Sequence, residues 1–482
     1  MKAKRLELWL FGGLILVAAF LRFWEISNRP GWEWDEPAYN LIGHNIATQG
    51  LLQAATEYGQ PPTAFLYQPP FYFLTLGGWY RIVGSGITEA RCWAATMSLL
   101  TLMMLYLFSR SMFGRRTAFA ATAFIALDTW MVYTNRVSWI ENTLMVFIVG
   151  AMWLYWRATK HPTNLNFVIA GLGIGITVIF KHNGAYLFIA VALYWLIQRR
   201  WTKQHLWLIA SATGVIGIYL LGMTLLYQHN GNNAFWSDMA HQWGRTIGTV
   251  STAQIGTGSI GGISGLSPLL GQYKVFVGTL LVGVIAGVLW LIRLIQCLRQ
   301  RSWQPVRANS FTFVWMTAGI IGLCAIRLKY PHYFVILLVP MYLFLAGEFK
   351  NWFGKDSKRS IKSVAIYTGC GAIAVLGVLG FFWRIVDQSD NALQAVAQYA
   401  QANIPASDVV LTEQPIGNLI HQPFCDIRWR AGPCGKVAKY IISYTSSDYS
   451  GPNDPLLKQM IAASTRLTTI TGFKEKIIIY KR

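Results

Sequence analysis

Residues 6–24, LELWLFGGLILVAAFLRFW, run directly into residues 25–39, EISNRPGWEWDEPAY. The first stretch is almost wholly apolar and has the length that crosses a hydrocarbon core of roughly 30 Å. Lipid offers no partners to backbone N–H and C=O groups, so such a stretch must be a helix. It is too long for the core of a signal peptide, and no small-residue cleavage site comes after it. It is read as a retained span. Beyond Trp24 the composition changes to one rich in acids (Glu25, Glu33, Asp35, Glu36), with Trp32, Trp34 and two prolines, all close to the expected membrane surface.

The same apolar pattern recurs along the 482 residues, of which 54% are hydrophobic and 13% charged. A soluble chain is about one-quarter charged. The expected spans are 6–24, 88–109, 117–134, 142–157, 167–180, 184–198, 206–227, 275–296, 310–326, 333–349 and 363–385. Eleven is odd, which puts the termini on opposite sides. Lys and Arg favour short cytoplasmic loops. One alternate set of span ends holds 20 of the 41 basic residues and only three acids, Glu7, Glu348 and Asp356. That set, which includes the N-terminus, is therefore expected to be cytoplasmic, and the C-terminal segment extracytoplasmic. The formal charge of +21 is then topology spread over short loops, not a nucleic-acid footprint.

Residues 71–84, after Gln68-Pro69-Pro70, are apolar but would span only ~21 Å as a helix. Letting them cross would turn every later basic loop outward, so they are expected to form an interfacial or re-entrant helix. Three other features are expected outside: a first loop over about 25–87, a Gly/Ser/Thr-rich loop over about 228–274, and a segment over 387–482 that is no longer membrane-like. The pattern in that segment predicts helices over 391–403 and 455–464 and strands over 408–412, 438–444 and 476–480, a small α/β domain with a partly parallel sheet. The fold class is thus an α-helical polytopic membrane domain, 1–386, joined to an extracytoplasmic α/β domain, 387–482. Within the latter, Cys425 and Cys434 lie close enough in sequence for a disulfide in an oxidising compartment. Free thiols are the alternative; zinc would need two more ligands, and only His421 is near.

Candidate chemistry gathers on the expected outer side. Asp35 and Glu36 are adjacent carboxylates among Trp24, Trp32, Trp34 and Tyr39, a setting that raises carboxylate basicity by desolvation. A solvated loop or helix cap is the plainer reading of the pair. Arg136 and Glu141 flank the turn 135–141, Lys181 comes directly after the fifth span, and Arg327, Lys329, Tyr330 and His332 fill the turn 327–332. Taken singly, each cation could snorkel from an apolar stem. Together, in short turns where the charge rule places few, they call for an anion such as a lipid phosphate. Asp128, inside the third span, is read as a hydrogen-bonded member of the bundle.

In this ordered series the chain resembles the GT-C class of membrane glycosyltransferases, in the branch related to dolichyl-phosphate-mannose protein mannosyltransferases and the lipid A aminoarabinose transferase. The carriers are Asp35-Glu36 with Tyr39, Tyr67-Gln68-Pro69-Pro70-Phe71-Tyr72, Glu89-Ala90-Arg91, Phe113-Gly114-Arg115-Arg116, Glu141, Lys181 with Gly184, and Arg327 to Pro331. The resemblance implies inverting transfer of a sugar from a polyprenyl-phosphate donor to a protein, glycan or lipid acceptor. It implies Asp35 as general base and Glu36 and Glu141 as further catalytic carboxylates. Lys181, Arg327, Lys329 and Arg136 would hold the donor phosphate, and Tyr39, Tyr330 and His332 would line the substrate pocket. No cofactor is implied, since Lys and Arg can neutralise the leaving phosphate; a divalent metal is neither required nor excluded. Two departures stand out: Gln68 where some relatives carry a basic residue, and His182-Asn183 between Lys181 and Gly184. A lipid-sugar flippase is the competing reading, but the paired, broken-helix repeats common in transporters are not visible.

Overall fold

The structure, a computed structural model, describes residues 2–60, 64–199, 202–229, 232–247, 276–326, 331–353, 379–380, 382, 385, 391–427, 431–444, 455–472 and 476–482. The chain forms two compact units, one of Met1–Trp24, Ala94–Ser237 and Gly262–Trp383, the other of Glu25–Trp93, Asp238–Gly261 and Arg384–Arg482. The expected first loop therefore belongs with the C-terminal segment.

The first unit is a helix bundle. Its described helices are α1 (Lys2–Phe23), the greater part of α4 (Ile87–Phe113), α5 (Arg115–Leu127), α6 (Thr129–Thr134), α7 (Ile140–Lys160), α8 (Asn164–Phe180), α9 (Tyr186–Gln198), α10 (Gln204–Leu226), the start of α11 (Ala234–Ile247), α12 (Val277–Arg299), α13 (Ser310–Ala325) and α14 (Val335–Phe353). Ten of the eleven expected spans coincide with these helices; the eleventh lies almost entirely outside the described residues. Among the described residues, five helices are long and apolar enough to cross a membrane, and two shorter ones are strongly apolar. The protein is an integral, multi-pass membrane protein. The third span is not continuous: Asp128 sits between α5 and α6 in an extended conformation and its carboxylate caps Met131 N–H at 2.8 Å. The other carboxylate oxygen accepts from Thr279 Oγ and Tyr342 Oη, each at 2.7 Å. A capping side chain competes with the helix backbone, and here it breaks the helix while its own charge is fully hydrogen-bonded.

Lipid supplies no hydrophobic force between helices, so close approach through small residues matters. Gly171 and Gly175, one turn apart on α8, face α10: a Cβ on the first would meet the Leu208 carbonyl at 2.2 Å, and on the second the Ala212 carbonyl at 2.9 Å. At one end of the bundle, Glu7 pairs with Arg110 at 3.3 Å and Arg115 at 3.2 Å. Glu348 pairs with Arg293 at 2.6 Å. Two of the three acids assigned to the basic face are therefore partnered by that face's own arginines.

The second unit contains α2 (Glu36–Gln49), α3 (Phe71–Val83) and a five-stranded sheet. Helix α3 is the short apolar segment expected from the sequence, and it packs against α2. After the two-residue strands β1 (Gln228–His229) and β2 (Asn232–Asn233) of the first unit, the sheet comprises β3 (Val410–Thr412), β4 (Phe424–Asp426), β5 (Tyr440–Tyr444), β6 (Thr465–Thr471) and β7 (Lys476–Lys481), in the order β4-β3-β5-β7-β6. Strand β3 is parallel to β4 and β5; β7 is antiparallel to β5 and β6. Strands β4 and β6 were not expected: one is three residues long, and the other, TRLTTIT, is polar and largely exposed. Side chains alternate across a strand. Val410, Phe424 and Ile442 thus join α15 (Ala392–Asn403) on one face, and Leu411, Cys425 and Ile441 join Leu457 of α18 (Pro455–Ala462) on the other. The short helices α16 (Gln414–Gly417) and α17 (Pro433–Val437) connect the strands. Trp32, Trp34 and Ala55 of the first loop pack against the α15 face.

Candidate active site

Two constellations of candidate residues are formed, one in each unit. In the second unit, Asp35 is the N-cap residue of α2, yet its side chain makes no capping hydrogen bond. Glu36 bonds the preceding backbone instead, its Oε2 accepting from Glu33 N–H at 2.8 Å. The same carboxylate is gripped by Arg91, with Nη2–Oε2 at 2.6 Å and Nε–Oε1 at 2.7 Å. Arg91 also donates to the carbonyls of Ile26, Pro30 and Gly31 at 3.0, 2.8 and 3.0 Å. Both side chains are completely buried. A two-pronged arginine–carboxylate pair combines strength with fixed geometry, and here it ties the loop before α2 to the start of α4. Glu36, one of the expected catalytic carboxylates, is thereby bonded through both of its oxygens. Tyr39, expected to line the substrate pocket, lies edge-on against Tyr72 and Phe73 of α3 at 5.8 and 5.5 Å and is buried in the α2–α3 core.

In the first unit, Lys181 and Glu141 form a buried ion pair. His332 Nε2 lies 3.8 Å from the same Glu141 oxygen. The Trp139 ring covers His332 at 4.7 Å, and the Lys181 ammonium lies 4.9 Å from the centre of the Tyr333 ring. Each residue starts or ends a helix: Glu141 opens α7, Lys181 closes α8, and His332 precedes α14. Each of the three expected turns thus contributes one residue, Glu141, Lys181 or His332, to this cluster. His182, next in the chain, has its pKa pushed down to about 4 by burial and by the neighbouring Lys181 charge, so its ring is neutral at pH 7. Arg136 reaches the end of α1. It is fully buried and donates to the Leu21 carbonyl at 2.7 Å and to that of Trp24. It satisfies carbonyls left open at the end of α1. Arg327, Lys329 and Tyr330 lie outside the described residues. Cys425 and Cys434 are joined in a disulfide, with Cα atoms 5.9 Å apart. Among the described residues no group of three His, Cys, Asp or Glu side chains is arranged to hold a metal ion.

Residues 67–221 match the profile of the family described as dolichyl-phosphate-mannose-protein mannosyltransferase. The fold aligns over 98% of this chain and 97% of the other with ArnT from Cupriavidus metallidurans bound to undecaprenyl phosphate, at a TM-score of 0.63 and 15% identity. The chain has the fold of the GT-C glycosyltransferases. The fold also aligns with that of the Archaeoglobus fulgidus oligosaccharyltransferase at a TM-score of 0.57 and 14% identity, over 91% of this chain and 69% of that protein. No curated protein sequence matches it significantly. Residues 67–221 are thus similar to that mannosyltransferase family, and the fold is similar to that of ArnT and of the oligosaccharyltransferase. The sequence singled out Arg91 only as part of a motif and assigned it no role. Its signal was a cation at the mouth of an apolar span, on the side expected to hold the acids.

Proposed function

We propose that the protein transfers a sugar from a polyprenyl-phosphate donor to a hydroxyl of a protein, glycan or lipid acceptor, on the extracytoplasmic face, by a single inverting displacement. Asp35 removes the acceptor's proton as its oxygen bonds to the anomeric carbon. The bond from that carbon to the phosphate oxygen breaks, and the lipid phosphate leaves with the electron pair. Lys181, with Arg327 and Lys329, offsets the growing phosphate charge, an electrostatic contribution that is commonly the largest in such reactions. Glu141 and His332 keep the Lys181 ammonium in place. Support for a lipid-phosphate donor comes from the fold shared with ArnT, which is described bound to undecaprenyl phosphate.

The observation that carries this reading is the division of labour between two adjacent carboxylates. Glu36 is engaged by Arg91 and the Glu33 N–H, a bracing position that supports Asp35, rather than Glu36, as the base. The test is transfer by purified protein in nanodiscs, offered a panel of undecaprenyl-phosphate-linked sugars and a membrane acceptor extract, with products read by mass spectrometry. Asp35→Asn should lower the rate by about 10²–10⁴-fold, the usual worth of a general base. Full transfer by Asp35→Asn removes the base assignment. Lipid-sugar translocation without any glycosylated product would favour a flippase.

A further inference from the structure

Trp34, the residue before Asp35, is held from the far end of the chain. Its ring stacks on that of Tyr444, with centroids 4.8 Å apart and planes inclined by 20°. Tyr444 is the last residue of β5, the middle strand of the sheet, and is 4% exposed. Two hydrogen bonds strengthen the same attachment. Ala55 N–H donates to Asn418 Oδ1 at 3.2 Å, and Tyr58 N–H donates to the Phe424 carbonyl at 2.8 Å. The seat of Tyr444 is itself fixed, because Ser443 Oγ donates to the buried Glu413 carboxyl at 3.4 Å and the Tyr444 backbone bonds the same group. Asp35 therefore has a long-range anchor on each side: residue 36 is held by Arg91, and residue 34 by Tyr444.

We infer that Tyr444 is a positioning residue for Asp35, acting through Trp34, so that the C-terminal sheet is a working part of the transferase. This rests on Asp35 being the base. A base must come within hydrogen-bond reach of the proton it takes, and a displacement of about 1 Å can cost on the order of 10²-fold in rate. The Glu36–Arg91 grip fixes one end of the Trp34-Asp35-Glu36 segment; the stacked ring fixes the other. With only one end held, Asp35 could turn about its own backbone without breaking the ion pair.

The test compares Tyr444→Phe, which keeps a stacked ring, with Tyr444→Leu, which does not, in full-length protein in nanodiscs. With whichever undecaprenyl-phosphate-linked sugar the wild type transfers, Tyr444→Leu should lose about 10–100-fold in kcat with donor KM held within about twofold. Tyr444→Phe should stay within about twofold of wild type. Hydrogen exchange of the peptide covering residues 32–40 should speed up in Tyr444→Leu only, while β3 and β7 stay protected. A Tyr444→Leu enzyme of near wild-type kcat, or a Tyr444→Phe enzyme as damaged as Tyr444→Leu, overturns the inference. Failure of the underlying reading looks different: Asp35→Asn transfers normally, or no panel sugar is transferred. Exchange then decides alone, and equal rates at 32–40 in the two Tyr444 variants overturn the coupling.

Discussion

Removing Arg91 should release the first loop before it unfolds anything else. The guanidinium meets one carboxylate with two prongs and three backbone carbonyls, with no solvent on either partner. Breaking a buried ion pair by deleting one partner costs about 3–5 kcal/mol, because the other charge is left buried and unpaired. Each stranded carbonyl adds about 1–3 kcal/mol. For Arg91→Met the sum is on the order of 6–14 kcal/mol, comparable with the whole stability of a typical domain, roughly 5–15 kcal/mol. A penalty of that size is avoided by local opening. Residues 25–60 should therefore detach, exchange amide hydrogens as an open loop and become cleavable, while the helices of the first unit keep their protection. Glu36→Gln retains shape and loses only the charge opposite Arg91; a cost of about 3 kcal/mol and partial loosening are expected. Combining Glu36→Gln with Arg91→Met should cost less than the two changes summed, since neither charge is then stranded. The assays are hydrogen exchange and limited proteolysis on detergent-purified protein, with transfer activity alongside. An Arg91→Met protein whose residues 25–60 exchange and resist protease as the wild type does would refute the reasoning.

The Lys181–Glu141 pair should show the same signature within the membrane bundle. Lys181→Met alone is expected to destabilise by about 3–5 kcal/mol, and adding Glu141→Gln should recover most of it, read as thermal midpoints in detergent. Activity should not recover with stability if Lys181 also holds the donor phosphate. In the C-terminal sheet, burial and the nearby Asp426 charge, only partly offset by hydrogen bonds, push the Glu413 carboxyl up to about 8. Its folded-state pKa lies above its unfolded value of about 4.3, so the stability it contributes is fully present below about pH 4 and is lost as pH rises through about 8. Glu413→Gln, which imitates the protonated form, should raise the thermal midpoint at pH 8 and leave it unchanged at pH 4. A midpoint difference that does not depend on pH would contradict this account. On α8, Gly175→Leu should separate α8 from α10, since even a Cβ there meets the Ala212 backbone; a folded yield equal to wild type would argue against the packing.

The Glu413 case bears on how charge is handled in the C-terminal sheet. A carboxyl in a sheet core is tolerated because it can stay protonated, and the cost appears only when pH forces ionisation. Asp128 in the bundle likewise has hydrogen-bond partners, Met131 N–H, Thr279 and Tyr342. Local sequence revealed neither set of partners.

Much of the architecture is determined by the sequence alone. Apolar length determines which segments cross the bilayer, because lipid forbids unsatisfied backbone. The alternation of β-type and helix-type patterns in 391–480 determines an α/β segment, because strand and helix repeat at different periods. Even the grouping of Glu141, Lys181 and His332 was foreshadowed, since all three occupy short turns on the side assigned to the acids. Only the tertiary structure decided the rest. Partners distant in sequence separated Glu36, bound by a guanidinium 55 positions away, from Asp35, and drew Arg136 to the end of α1. The same kind of contact set Tyr444 against Trp34. Spacing along the chain reports which face or side a residue occupies, but a side chain's role depends on which charge or ring reaches it through space, and that is fixed only when the helices and sheet have packed.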